Sequence, residues 1–458
     1  MKFRALAALG QLHQRGGIAP VNLRIEESNE VLTTHAGLAA IGHLLQKTQL
    51  RARLNATHLT DRPMPEISHG DVVASYVGLL CLGKNDFDHI EAHRKDIVFR
   101  AAVGVGVVPS SPTLRQRLDL AAGQAGWEAI LREESAKLLA GLRPPLTAVV
   151  AGGRTLLPLD IDVSPWDNSG TKKEGVSRTY HGYDGYAPIF GFLGVEGYAV
   201  HAQLRPGKDH SQKGTPEFLR ESIGYARAIT DQQLLVRLDS GFDSRENIRL
   251  CGDLGVEFVI KRNLRGESEQ AWLKWAQDHA VATEPRPGKR IWRGVLEGGH
   301  RGPARMVVEV VERTIRADGQ LLLVPEVEVQ AWWTSLPEDP DTVIRLYQEH
   351  GTMEQFHSEF KTDLDLERLP SGHLATNNLV LQCALLAYNM LRLMGQALLG
   401  DRAIPLRSAR QRRRIRTVMQ NLVYLAARMV AHGRRIWLRY GRGNVWGPSL
   451  QRVYEAYA

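Results

Sequence analysis

The sequence predicts an α/β catalytic core, split by a β-rich insertion and preceded by a helical region. Three observations carry that reading. Apolar residues recur at helical spacing through residues 1 to about 145, whereas residues 146 to about 262 turn to strand-like runs. Two of these runs, 156–162 and 234–239, end in carboxylates, Asp162 and Asp239. A third carboxylate, Glu354, opens a later helical stretch, beyond a segment that holds Trp272, Trp275, Trp292, Trp332 and Trp333.

With 458 residues the chain is too long for one core. The segments read as a helical region (1–145), the first part of the core (146–262), a β-rich insertion (263–337), the helical second part of the core (338–400) and an arginine-rich end (401–458). Composition is that of an ordinary globular protein, 43% hydrophobic and 24% charged, with a net charge of +8. A basic balance fits a polyanionic partner. Arginines without acids crowd residues 402–442, among them Arg412, Arg413 and Arg414. The three cysteines are far apart, in apolar settings and without zinc spacing, which fits a reducing cytoplasm. The apolar run near the start is too short for a signal peptide. The stretch 377–399 is interrupted by Asn378, Gln382, Asn389 and Arg392, so it reads as a buried helix and no membrane partner is expected.

In chain order, helices are expected at 36–54, 71–82, 86–100 and from Ser111, a good N-cap followed by Pro112. The pair 86–100 and 112–122 has the layout of a helix-turn-helix, with Thr113, Arg115, Gln116 and Arg117 placed to reach a DNA groove; a plain helical hairpin is the alternative. Strands follow at 146–151, 155–163, 188–195 and 198–204, the last two joined by the hairpin signal Glu196-Gly197. A helix (216–229), a strand (234–239), a helix (245–255) and a strand (257–262) complete the run. From 155 on, the order β-β-β-α-β-α-β is that of an RNase H-like domain. Strands return at 304–313 and 320–334, and helices at 339–349, 351–362 and 377–399.

Asp160 and Asp162 share one strand face, because side chains alternate, while Leu157, Leu159, Ile161 and Val163 take the other. Carboxylates on an apolar strand require exposure, a partner or a metal. Asp239 precedes a glycine turn and is equally suited to capping a helix. Tyr347, His350, Glu354 and Lys361 are spaced to share a helical stripe if Gly351 does not break it. Two strand-end carboxylates and one on a helix can hold a pair of divalent ions for displacement at phosphorus.

At this point the chain resembles a known family. The pattern Tyr-x2-Arg-x3-Glu-x6-Lys, with Asp-Ser-Gly-Phe upstream, is similar to the signature of DDE transposases of bacterial insertion sequences (transposase DDE group 1). The blocks 159–164, 204–208, 369–372 and 387–389 resemble the thirteen-eighty family more narrowly. The resemblance implies an RNase H-like core in which Asp162, Asp239 and Glu354 are catalytic, with Asp160 as the fallback for the first ligand. It implies two Mg2+ ions, replaceable by Mn2+. It places Tyr347 and Lys361 at the transposon-end phosphate, and His350 where the family has Arg, a change that matters because neutral His cannot fork onto phosphate. It makes Trp332 and Trp333 candidates for stacking a flipped base. The implied activity is cut-and-paste transposition, by a homodimer that pairs two terminal inverted repeats and joins them to target DNA, in a bacterial cytoplasm at the nucleoid. Two other readings stand beside it: a non-catalytic DNA-binding descendant, and a nuclease or resolvase without strand transfer.

Overall fold

The computed structural model describes residues 24–59, 65–123, 126–297, 304–399, 411–433 and 435–458. A short strand, β1 (Leu32–Thr33), leads into the helical region. The segment expected as one helix at 36–54 is two, α1 (Leu38–Gln46) and α2 (Leu50–Asn55). Ser68 caps α3 (His69–Leu80), its hydroxyl accepting from the Asp71 amide. The helix expected over 86–100 is also divided. Residues 87–93 form a 3-10 turn, and Asp96 starts α4 (Ile97–Val103) afresh by accepting from the Val98 and Phe99 amides. Helix α5 (Ser111–Ala122) is capped by Ser110, one residue earlier than expected, and α6 (Trp127–Leu142) follows.

The core begins with β2 (Val149–Ala151) and the ten-residue β3 (Arg154–Val163). Three short strands, β4 (Trp166–Asp167), β5 (Ser177–Arg178) and β6 (Asp184–Tyr186), form a small sheet of their own. The hairpin β7 (Ile189–Leu193) and β8 (Tyr198–Gln203) turns at Gly194 and Gly197, both in the left-handed region that glycine tolerates. Then come α7 (Thr215–Ile229), β9 (Leu234–Leu238), α8 (Arg245–Asp253) and β10 (Glu257–Lys261). Spatially the order is β8-β7-β3-β9-β10. Strand β7 is antiparallel to β3, while β9 runs parallel to β3 and β10 parallel to β9.

The insertion holds α9 (Glu269–His279) and four strands, β11 (Ala282–Arg286), β12 (Lys289–Leu296), β13 (Arg305–Ile315) and β14 (Leu321–Thr334). It does not stand apart from the core sheet. Strand β14 pairs antiparallel with β10, Ile260 opposite Trp333, so the insertion extends the core into a ten-stranded sheet. The exposed edge that β10 would otherwise present is thereby paired.

Leu157, Leu159, Ile161 and Val163 all enter one apolar layer with α7, α8 and α9, as the strand alternation predicts. Leu156, on the opposite face with Asp160 and Asp162, packs with Trp332 and with Val343, Ile344 and Leu346 of α10 (Pro340–Gln348). A 3-10 turn (Glu349–Thr352) joins α10 to α11 (Met353–Ser358), which runs into a π-turn (Glu359–Asp363). Helix α12 (Leu374–Leu399) is buried almost all round, between the N-terminal helices and the sheet. Three of the polar residues that interrupt its sequence hydrogen-bond the outer edge of β8. Asn389 accepts from the Ala199 amide (2.9 Å) and donates to its carbonyl (2.6 Å), Gln382 donates to the Ala202 carbonyl (2.9 Å), and Asn378 accepts from the Leu204 amide (2.9 Å). Among the described residues no helix is long and apolar enough to cross a membrane.

The described residues of the arginine-rich end, 411–433 and 435–458, form helices and strands that its composition did not foretell. They hold α13 (Ile415–Val418), β15 (Ala427–His432), β16 (Arg435–Tyr440) and α14 (Gly447–Tyr457). Strand β15 pairs with β1, bringing the end of the chain back to its helical start.

Candidate active site

Register sets the site. Strands β3 and β9 are parallel, with Asp160 opposite Arg237 and Ile161 opposite Leu238. The next residues, Asp162 and Asp239, therefore emerge side by side at the ends of adjacent strands, about 4.8 Å apart along the hydrogen-bonding direction. One step back, on the same face, the cross-strand pair has opposite charge. At the strand ends it is a like-charged pair, which costs stability.

The inner pair is closed. Asp160 and Arg237 are each 2% exposed, and both carboxylate oxygens meet the guanidinium, Oδ1 with Nε at 2.5 Å and Oδ2 with Nη2 at 2.7 Å. His350 Nδ1 lies 3.1 Å from the same Oδ1. Burial would raise the Asp160 pKa, but the charges of Arg237 and His350 outweigh it and hold the carboxyl below its usual range. Asp160, the fallback ligand in the sequence reading, is thus the anion of a buried ion cluster. His350 faces this cluster instead of presenting itself to a phosphate. Arg237 also donates to the Leu346 carbonyl at 2.7 Å, so the cluster ties α10 and the turn after it to the sheet.

The outer pair is open. Asp162 keeps 28% of its side chain exposed, and Asp239 is half-buried. Burial first, then the charge of Asp162, push the Asp239 carboxyl up from 3.8 to about 6. Asp239 Oδ1 also accepts from the Gly241 amide at 2.9 Å, so the capping role read from the sequence coexists with its place in the pair. The donors suit a divalent cation: two adjacent carboxylates at strand ends, open to solvent, one of them disfavoured as an anion in isolation.

Helix α11 stands over this pair. Its buried His357 has Nε2 3.5 Å from Asp162 Oδ2, and its Phe356 packs on the β7–β8 turn. Glu354, three residues before His357, lies on the same face and is exposed. Asp162, Asp239 and Glu354 do not all meet within 4.8 Å of one another.

The chain matches the family described as transposase DDE domain group 1 over residues 18–457. It belongs to that family. No curated protein matches the sequence significantly. Among solved structures, the chain is similar to piggyBac transposase in a synaptic complex with hairpin DNA, at 11% identity and a TM-score of 0.41, covering 93% of this chain and 84% of that one. By its family match the chain carries a transposase DDE domain, and DDE transposases generally use divalent metal ions.

The remaining expected residues divide into two groups. Tyr347 is near the carboxylates: burial, then Asp239, Asp162 and Asp160, push its phenol pKa up. Lys361 reaches the Pro165 carbonyl just beyond β3 (3.5 Å) and pairs with Glu367 (3.0 Å). Arg115 is exposed, 3.6 Å from Asp88. The others are engaged by partners within the protein. Trp332 and Trp333 are 1% and 7% exposed, packed in the layers on opposite faces of the sheet, so neither indole is presented to a base. Arg117 reaches the Ile67 carbonyl (3.3 Å) and His69 (2.7 Å) instead of a groove. Arg414 pairs with Asp363 at 2.7 Å, Arg412 lies 3.7 Å from Glu359, and Arg413 is buried near Trp446. Arg412 and Arg413 are thus held within the protein, whereas Arg414 is paired yet exposed; Arg416, Arg428, Arg435, Arg439 and Arg442 are exposed too. Sequence reasoning missed the counterions Glu359 and Asp363, and also Arg237 and His357. Arg237 had a signal: a lone arginine on an apolar strand, two residues before a carboxylate, demands a buried anion.

Proposed function

We propose that the chain is the transposase of a bacterial insertion sequence of the thirteen-eighty type, acting in the cytoplasm on chromosomal DNA. It binds terminal inverted repeats, pairs two ends as a homodimer, and cleaves and transfers DNA strands. The observation that carries the reading is the like-charged pair Asp162–Asp239 above a closed Asp160–Arg237 pair, a layout without structural benefit unless a cation joins it. The strand order β8-β7-β3-β9-β10, with the first carboxylate on the central strand and the second on its parallel neighbour, supports an RNase H-like core.

Asp162, Asp239 and Glu354 would hold two Mg2+ ions, which Mn2+ can replace. When bound, the ions activate the attacking oxygen and stabilise the leaving one. A pair of ions would share its ligands over a wider site than one ion, so the carboxylates need not meet at one point. Asp162 and Asp239 provide the rigid strand-borne part, and Glu354 approaches from α11. The ion cluster of Asp160, Arg237 and His350 fixes the turn from which α11 starts. Tyr347 beside the pair and Lys361 beyond the end of β3 would face the end phosphate; exposed arginines such as Arg115 would add affinity for the DNA backbone.

The test uses an element end as duplex DNA with the full-length protein. Asp162→Ala, Asp239→Ala and Glu354→Ala should each lose cleavage and joining in Mg2+ by orders of magnitude while retaining end binding. Near-parental nicking by Asp239→Ala would sink the assignment. Cleavage without joining by the parent protein would make it a nuclease instead.

A further inference from the structure

A second cluster of metal-type donors lies far along the chain from these carboxylates. His35 follows β1, His93 ends the 3-10 turn, and Asp96 caps α4. One donor atom from each lies within 4.8 Å of the others, and theirs is the one such group of three among the described residues. Asp96 Oδ2 is 3.0 Å from His35 Nε2 and 3.8 Å from His93 Nδ1. Ligand atoms bound at about 2.0–2.1 Å to a tetrahedral ion would stand a little over 3 Å apart, which is this range.

Three features separate the cluster from an ordinary ion pair. Both histidines are buried, and His35 Nε2 and both ring nitrogens of His93 lack an aligned hydrogen-bond partner. Buried imidazole nitrogens in that condition are costly unless something joins them. The roles of the Asp96 oxygens are divided. Oδ1 accepts from the Val98 and Phe99 amides at 2.9 and 3.0 Å, which fixes the carboxylate, and Oδ2 is left to the histidines. The rings are also held in place: His93 stacks on Phe99 with centroids 4.6 Å apart, and the Thr34 hydroxyl stands 3.5 Å from His35 Nδ1. Such partners on the far side of a ring orient a metal-binding imidazole.

We propose that His35, His93 and Asp96 bind a Zn2+-type transition-metal ion that serves structure, not DNA cleavage. Two nitrogens and one carboxylate oxygen suit zinc better than Mg2+ or Ca2+, which prefer all-oxygen sets. The fourth position opens on a surface cavity of about 540 Å³ bordered by His35 and Asp96, where water completes the set. The residues after β1 would thereby be fastened to the turn before α4. Because β1 pairs with β15, the ion also anchors the C-terminal hairpin to the helical region.

The test measures metal content and Co2+ absorption on full-length protein without a histidine tag. An Asp162→Asn/Asp239→Asn background keeps the acidic site from contributing. About one Zn2+ per chain is expected, with a tetrahedral Co2+ band in the visible range after exchange and a rise in Tm on Zn2+ addition. His93→Ala and Asp96→Asn should each lose the band and the zinc-dependent rise. Asp96→Asn keeps an oxygen for the two cap amides, so it decides the matter if His93→Ala does not fold. Metal content and absorption in the background protein no greater than in Asp96→Asn would overturn the proposal. The result is independent of DNA cleavage, so it stands or falls apart from the proposed function.

Discussion

Removing one negative charge from the outer pair should stabilise this protein, and the size of the gain follows from Asp239. Burial and the facing Asp162 raise its pKa from 3.8 to about 6. A shift of about two units penalises the ionised form by about 3 kcal/mol, an upper bound because Asp239 keeps some contact with water. The sign follows from proton counts. Between pH 4 and 6 the folded state holds a proton that the unfolded state has released, so stability falls as pH rises through this window, and the full penalty applies above it. Asp239→Asn keeps an oxygen for the Gly241 amide and removes the charge. In EDTA at pH 7.5 its Tm should exceed the parent's by up to about 3 °C, and the two should converge toward pH 4. Mg2+ at pH 7.5 should raise the parent's Tm, with a much smaller effect on Asp239→Asn. Thermal melts of both proteins at the two pH values, with and without Mg2+, check this. An asparagine variant no more stable than the parent at pH 7.5 would refute the argument that the pair is strained.

Other perturbations separate structural charges from functional ones. Asp160→Ala strands a buried guanidinium and should cost about 3–5 kcal/mol in urea unfolding, whereas Asp162→Ala, at the open pair, should cost far less. Ending the chain after Leu399 leaves Glu359 paired with Arg392 alone and takes both Arg414 and Arg416 from Asp363, residues that are 1% and 4% exposed. That truncation should abolish cooperative unfolding by calorimetry; a folded truncate whose only change is a flatter salt dependence of DNA binding would contradict it. Gly197→Ala places a methyl 2.2 Å from the Phe356 ring at a φ of +72°. It should lower Tm by several degrees and displace α11, seen as a larger loss in cleavage than in end binding.

The strand pattern was legible because charged residues enter β3 and β9 only near their ends and on one face. Leucine and isoleucine fill one face of β3, and carboxylates appear on the other only at its end. The outer pair could be named from that pattern, and so could the helix carrying Glu354. Which of Asp160 and Asp162 faces solvent could not. It depends on Arg237, whose position opposite Asp160 is a matter of register between strands more than seventy residues apart in sequence. Arg412 and Arg414 misled for a similar reason. Charge composition records only one side of an ion pair, and Glu359 and Asp363 lie about fifty residues upstream. Trp332 and Trp333 show a third limit: a tryptophan in a β-rich segment reads the same in sequence whether it is packed or presented.

The amides that α12 sends to β8 bear on how copies of this chain can meet. A sheet grows by adding a strand at an open edge, and many dimers form in that way. Here the β8 edge is already occupied by Asn378, Gln382 and Asn389. At the far edge of the sheet, β11 is exposed but carries Pro285, which offers no amide proton, between Glu284 and Arg286. Both margins of the ten-stranded sheet are thus unsuited to accepting a strand from another molecule. Two copies brought together on DNA would have to meet elsewhere than on the margins of this sheet, leaving the strand register that aligns Asp162 with Asp239 undisturbed by assembly.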